Sequence, residues 1–346
     1  MKNKRLLLIT LLIVITGSIV LYLNCNPKGH NLNNNHVNTE TEQVNVNLEY
    51  DQKQPANSDI ASSENQDQDN KCAITNLKQA TKIKTENLNQ AYKYPDTGQK
   101  YIFFDVGQVL LSNSSTGAAK AVGVSHMFWY TVKHKKTPES KDIQARLFDF
   151  IDYCTKRPRG HALFNDQPLP GLMCDWAKGK IATSEILKIV THYEQEAKAF
   201  FISEQEKNLV FGALNLFKAD VICNIQRPVA KMIELFEQAC QQFPGHVYIL
   251  SNWDRESAAL VRKKFPQIFK LIPQENIFFS GDIGELKPEK AMFEYVTNKL
   301  KINPKNCILI DDNIENIKVA KSLGWIGLAH KNPERTIRKF KRLTKS

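Results

Sequence analysis

The sequence predicts a doubly wound α/β domain built on a parallel sheet, carrying an inserted helical cap. Three observations lead there. From Tyr101 onward, short apolar runs alternate with stretches of helical periodicity. The runs HVYIL, NIFFS and CILI are continuously apolar rather than alternating, as strands covered on both faces require. Finally, 145 residues separate the end of the first run at Asp105 from the end of the second at Ser251, and they read as mostly helical.

Taken in order, YIFF at 101–104 is a strand running into a Gly-containing turn. Helical patterns follow over His126–Lys133, Ile143–Cys154, Thr183–Phe201 and Glu204–Phe217. Pro228 reads as the first helical residue of VAKMIELFEQACQQF, which Pro244-Gly245 closes. After it, HVYIL, NIFFS, CILI and WIGLAH are strands, separated by helices over 254–264, 288–300 and 314–322. The tail KNPERTIRKFKRLTKS spaces Ile337, Phe340 and Leu343 as one face of a terminal amphipathic helix with a solvated basic side.

The first 96 residues differ. Residues 6–23 are uncharged and apolar, long enough at ~1.5 Å per residue to cross a bilayer. Lys2, Lys4 and Arg5 precede the run, which places the N-terminus in the cytoplasm and the bulk of the chain on the extracytoplasmic side, in a bacterial periplasm or at a cell surface. Bulky residues where a peptidase needs small ones favour an uncleaved anchor; a cleaved signal and a lipoprotein at Cys25 are the competing readings. Residues 25–96 are rich in Asn, Gln, Asp and Lys and bury too little to order themselves, apart from a short helix near Leu77–Tyr92. The expected divisions are therefore an anchor over 1–24, a disordered linker over 25–96, a core over 97–115 and 229–346, and a cap over 116–228.

Composition narrows the function. The 346 residues are 42% hydrophobic, ample for a core, and the net charge of +11 is spread along the chain except in the basic tail. That spread makes nucleic acid an unlikely partner. None of the seven cysteines forms a C-x-x-C pair, so neither a zinc ribbon nor a thioredoxin-type redox site is indicated.

Four strand ends carry the chemistry, where α/β sheets bind ligands. Asp105 follows YIFF as a carboxylate able to act as a nucleophile. Ser251 and Asn252 follow HVYIL, where a hydroxyl and adjacent N–H groups can hold a phosphate oxygen or cap a helix. Lys287 precedes a helix-opening Pro and can neutralise both an acid and a phosphate. Asp311 and Asp312 follow CILI; two adjacent buried-edge carboxylates repel unless a cation compensates, and an all-oxygen set suits Mg²⁺.

In this order, FFDVGQVLL, LSNWD, ELKPEKAMFEYV and LIDDNIENIKVAKSLGW resemble the four motifs of the haloacid dehalogenase-like hydrolase superfamily, over roughly residues 100–330. The first motif and the segment Cys174–Ile186 are similar to the subgroup with a D-x-G-x-V-L start and a helical cap. The resemblance implies a phosphatase acting on a small phosphorylated substrate through an aspartyl-phosphate on Asp105. It also implies Mg²⁺ held by Asp105, the Gly107 carbonyl, Asp311 and Asp312, and a phosphoryl group steadied by Ser251, Asn252 and Lys287. Most such phosphatases carry a second Asp two residues after the first; here Gly107 stands there, followed by Gln108. A weak or inactive phosphate-binding module and a dehalogenase are therefore the alternatives. Asn316 is a candidate to bond the first-motif loop or to face solvent, and Arg157, Arg159 and His161 are candidates to meet an anionic substrate or to form a plain surface loop.

Overall fold

The computed structural model describes residues 94–345, apart from 165, 166 and 195. The anchor over 6–23, the linker up to residue 93 and the short helix near 77–92 lie outside the described residues. Nine strands occur among those described: β1 Tyr101–Phe104, β2 Leu111–Asn113, β3 Leu163–Phe164, β4 Gln167–Pro168, β5 Gln226–Pro228, β6 Val247–Ser251, β7 Ile277–Phe279, β8 Cys307–Asp311 and β9 Ile326–Ala329. Five of them form one parallel sheet in the order β7-β6-β1-β8-β9. The chain moves outward from β1 through β6 to β7, then returns to lay β8 and β9 on the other side. That reversal beside β1 is where such sheets open a ligand crevice.

Alternate residues of each strand feed different cores, as the two-residue period dictates. On one face Ile102, Phe104, Ile249, Ile308 and Ile310 pack with Met232 and Phe236 of helix Ala230–Gln242 and with Phe340. On the other, Phe103, Tyr248, Leu250 and Leu309 pack with Phe293 and Val296 of helix Lys290–Leu300 and with Ile317 and Trp325. Every residue of β6 and β8 is buried, which explains why neither strand alternates in polarity.

Helix boundaries follow local chemistry. Helix Arg255–Lys264 begins at Asp254, whose side chain accepts from the Glu256 and Ser257 N–H groups. Pro228 closes β5 instead of opening a helix, and the helix starts at Ala230 with Val229 as its cap. The pairing of β5 with β2 accounts for the difference, since the extended backbone that Pro prefers also suits a short ribbon. The predicted helix over 183–201 is two, Thr183–His192 and Ala197–Phe200, and Glu204–Phe217 tightens to a 3₁₀ turn after Ala213. The C-terminal helix Pro333–Thr344 buries Phe340 with Thr336 and Thr344; Leu343 faces outward. Tyr94 already belongs to the fold, because its carbonyl accepts from Asn303 and its hydroxyl meets Asn298.

Between β2 and β5 lies a helical insertion, Ser115–Ile225, with its own core of Leu147, Phe150, Ile151, Leu209 and Val210 among others. Its entry and exit form the β2/β5 ribbon. Bonds that fasten it over the carboxyl ends of the sheet include Ser280 Oγ to the Ala177 carbonyl at 2.7 Å, Thr183 N–H to Glu256 at 3.2 Å, and Lys178 Nζ to Glu289 at 2.5 Å. Gly179 and Gly281 meet there so closely that a Cβ on Gly179 would run into the Gly281 carbonyl. Among the described residues no single helix is long and apolar enough to cross a membrane. The five described cysteines are free thiols, four of them buried, and burial pushes Cys223 up to about 11.

Candidate active site

Three adjacent strands deliver the site. Asp105 follows β1 directly, Ser251 ends β6, and Asp311 ends β8. Lys287 comes from the loop after β7 and is 1% exposed. Its ammonium donates to Asp105 Oδ1 at 2.9 Å, Asp311 Oδ2 at 2.6 Å and the Leu250 carbonyl at 2.7 Å. All three of its protons are thus used, the condition for burying an ammonium at tolerable cost. Burial alone pulls its pKa down; Asp105 and Asp311 outweigh that and hold it above the ordinary lysine value.

Asn252 positions this lysine. Its side-chain N–H donates to the Lys287 carbonyl at 2.8 Å, and its Oδ1 accepts from the Lys287 N–H at 2.9 Å. The Asn252 carboxamide is thereby committed to the Lys287 backbone, which leaves its backbone N–H as the group read for a phosphate oxygen. Ser251 is buried, and its Oγ accepts from the Val106 N–H at 3.4 Å, tying the end of β6 to the loop behind Asp105.

Asp311 is held on every side. Oδ1 accepts from the Asn313 N–H at 2.8 Å, and Asn316 Nδ2 bonds both oxygens at 3.0 Å. Asn316 therefore bonds Asp311, neither the first-motif loop nor solvent. Its own Oδ1 is buried with no partner. Asn313, which sequence reasoning passed over, caps helix Ile314–Ser322 and reaches the Leu163 carbonyl of the insertion at 3.2 Å. An Asn immediately before a helix is an N-cap signal that could have found the first role; nothing local signals the second.

Asp105, Asp311 and Asp312 each place a carboxylate oxygen within 4.8 Å of the others. Three acids against one ammonium leave the cluster short of positive charge. Burial, helped by Asp311 and opposed by Lys287, pushes the Asp105 carboxyl above its ordinary value. Asp312 is exposed as a residue, yet the protein around its carboxyl desolvates it, and Asp105 and Asp311 push the same way, so it too is raised. Asp105 Oδ2 faces the space left open by Gly107, where a Cβ would stand 3.8 Å away. This donor set fits a hard divalent cation: oxygen ligands only, uncompensated negative charge, and two carboxylates not engaged by Asn313 or Asn316.

The two arginines that could meet an anionic substrate are occupied elsewhere. Arg157 pairs with Asp175 at 2.8 Å, and Arg159 pairs with Asp149 at 2.7 Å and Asp152 at 2.5 Å, all within the insertion. His161 is exposed. A cavity of about 240 Å³ lies between Gly179–Ala182 and Asp254–Glu256, and none of the three clustered acids lines it.

Drimenol cyclase of Aspergillus calidoustus is 38% identical over 61 residues, 17% of this chain and 12% of that protein. Bifunctional epoxide hydrolase 2 of Mus musculus is 24% identical over 214 residues, 59% of this chain and 35% of that protein. The chain thus matches only a minor part of the length of either. Among solved structures, a haloacid dehalogenase family enzyme of Bacteroides thetaiotaomicron, crystallised with magnesium and inorganic phosphate, is 18% identical. Its likeness covers 68% of this chain and 95% of that one, with a TM-score of 0.42. A family model described as haloacid dehalogenase-like hydrolase matches residues 99–324, from just ahead of β1 to the turn that closes helix Ile314–Ser322. Because that span takes in all four motif-bearing strand ends and well over half of the sequence, the chain belongs to the haloacid dehalogenase-like hydrolases.

Proposed function

We propose that this hydrolase is a membrane-tethered, Mg²⁺-dependent phosphatase that cleaves a small phosphomonoester through an aspartyl-phosphate on Asp105. The carrying observation is the Lys287 ammonium bridging Asp105 and Asp311, with Asp312 completing a carboxylate triad within 4.8 Å.

Asp105 Oδ1 is engaged by Lys287, so Oδ2 is the oxygen that attacks phosphorus. The new bond joins Asp105 to the phosphoryl group, the ester P–O bond breaks, and the alcohol oxygen leaves with the electron pair. Ser251 steadies the transferring oxygens, and Lys287 neutralises the acids beside them. Asp105 and Asp312, with the Gly107 carbonyl, would hold Mg²⁺, and Asp311 serves to fix Lys287 and the loop, reaching the ion directly or through water. When bound, the ion supplies positive charge where phosphoryl oxygens gather it. Water then attacks the aspartyl-phosphate and restores the carboxylate. Gly107 offers no acid to the leaving oxygen, so esters of acidic alcohols are the favoured substrates. Residues 6–23 supply the tether, with the hydrolase on the extracytoplasmic side.

The test is phosphate release from an aryl phosphate by the full chain with Mg²⁺. Asp105→Asn abolishes it; undiminished release from that variant sinks the nucleophile assignment. One observation favours a second reading. With Gly107 where an acid would serve turnover, a catalytically silent phosphate-binding module predicts Mg²⁺-dependent thermal protection by a phosphate mimic and no release. A dehalogenase, needing no metal, leaves the clustering of Asp312 with the other acids without a purpose.

A further inference from the structure

Helix Val124–His134 carries large apolar side chains on its outer side as well as its inner one. Its inner side packs on helix Glu204–Ala213 through Met127, which is buried. Its outward side should be polar. Instead Trp129 is 58% exposed, Val132 50% and Val124 40%, and the half-buried Phe128 sets its ring against Trp129 at 5.2 Å. At ~100° per residue, Phe128, Val132 and Trp129 fall within an arc of about 100° on the side away from Met127, shared with the exposed Ser125, and Val124 lies outside that arc. Single exposed apolar residues need no explanation, but a contiguous aromatic and branched face does. Lys133 and Lys135, both exposed and in no ion pair among the described residues, follow at the C-terminal end of the same helix.

We propose that this face docks on the interfacial layer of a lipid bilayer. Aromatic rings flanked by lysines suit the boundary between acyl chains and headgroups, where a ring sinks ~5–10 Å and an ammonium stays at the surface. A second copy of the chain is the weaker occupant. The patch amounts to a few hundred Å² at most, on the order of half the ~800 Å² per partner of a stable interface. Proximity is supplied by the membrane anchor read from residues 6–23 of the sequence. The docking rests on that anchorage for proximity only and not on turnover.

The experiment reads lipid contact at one ring. The full chain is reconstituted in phosphatidylcholine and phosphatidylglycerol vesicles with bromine on the upper acyl carbons, and tryptophan emission is compared with unbrominated vesicles. Of the four tryptophans, Trp253 and Trp325 are buried and Trp176 packs on Phe217. Trp129 is therefore the ring a bromine reaches, and about a quarter of the emission is lost. Trp129→Phe shows no such loss. Phe128→Ser with Val132→Ser keeps Trp129 and vesicle retention but cuts the quenching at least threefold; Val132→Ser alone, at a position 50% exposed, weakens it with an unchanged melting temperature. Equal quenching in wild type and Trp129→Phe overturns the proposal. So does an unquenched Trp129 accompanied by cross-linked dimers that Val132→Ser abolishes, which assigns the face to a second copy.

Discussion

Replacing Lys287 by Met removes one charge from the centre of the site while keeping most of the side chain's volume. The lost ammonium makes three hydrogen bonds, at 2.6, 2.7 and 2.9 Å, and is 1% exposed, so water cannot substitute for it. Two carboxylates are left facing each other without their cation. Breaking a buried pair in this way costs about 3–5 kcal/mol. At roughly 2–4 °C per kcal/mol for a domain of this size, melting falls by roughly 6–20 °C at pH 8. Acid should narrow the gap. Lys287 holds the Asp105 pKa down, so its removal raises further a carboxyl that is already raised in the folded state. A raised carboxyl contributes stability that is fully present below its unfolded value and is lost as pH rises through its folded value. The variant therefore recovers toward pH 5, where Asp105 holds its proton. Thermal melts of the metal-free full chain at pH 5 and pH 8 decide the matter. A loss under ~2 °C at pH 8, or the same loss at both pH values, refutes the assignment of Lys287 as the counter-ion of these acids.

The wild-type chain without metal should itself melt lower at pH 8 than at pH 5, since Asp105 and Asp312 are both raised; Mg²⁺ should reverse that slope, with a larger melting shift at pH 8, readable by calorimetry. Asn316→Ala strips two hydrogen bonds from the buried Asp311 and should cost about 1–3 kcal/mol in denaturant melts, together with weaker Mg²⁺ protection. Gly107→Asp should fit, because the new Cβ meets only Asp105 Oδ2 at 3.8 Å. It should raise turnover of an alkyl phosphate by roughly 10²–10⁴ while lowering metal-free stability. No gain on the alkyl ester, with Asp105-dependent aryl phosphate release intact, would show that acid help is not what this loop lacks.

Sequence reached the sheet and the acids because both follow local rules. Ile102, Ile249 and Ile308 sit in continuously apolar runs, and an Asp or Ser after such a run lands at the ligand edge whatever the rest of the chain does. Strand order was beyond it: nothing in CILI says that β8 lies against β1 rather than β7. Pro228 misled because one residue suits both a helix start and an extended ribbon, and the choice was made by Leu111, its partner more than a hundred residues earlier. Asn252 was legible as a polar strand-end residue, but its reciprocal bonds to Lys287 depend on a loop 35 positions away. Arg157 and Arg159 read as anion-facing only until Asp149, Asp152 and Asp175 were seen to neutralise them. Positions near in sequence were recoverable; the jobs assigned by partners distant in sequence were not.

The ribbon of β2 and β5 has a consequence for how this architecture changes over time. Asn113 and Gln226 stand opposite each other, so the insertion departs and returns through neighbouring residues. A segment of more than a hundred residues can thus be lengthened, exchanged for an unrelated module or trimmed to a tight turn without altering the spacing of the flanking strands. The carboxylates on β1 and β8 keep their register whichever module occupies the gap, because that register is set by β1–β8 pairing alone. The acids and the insertion are therefore carried on distinct stretches of one chain, which the paired strands β2 and β5 join.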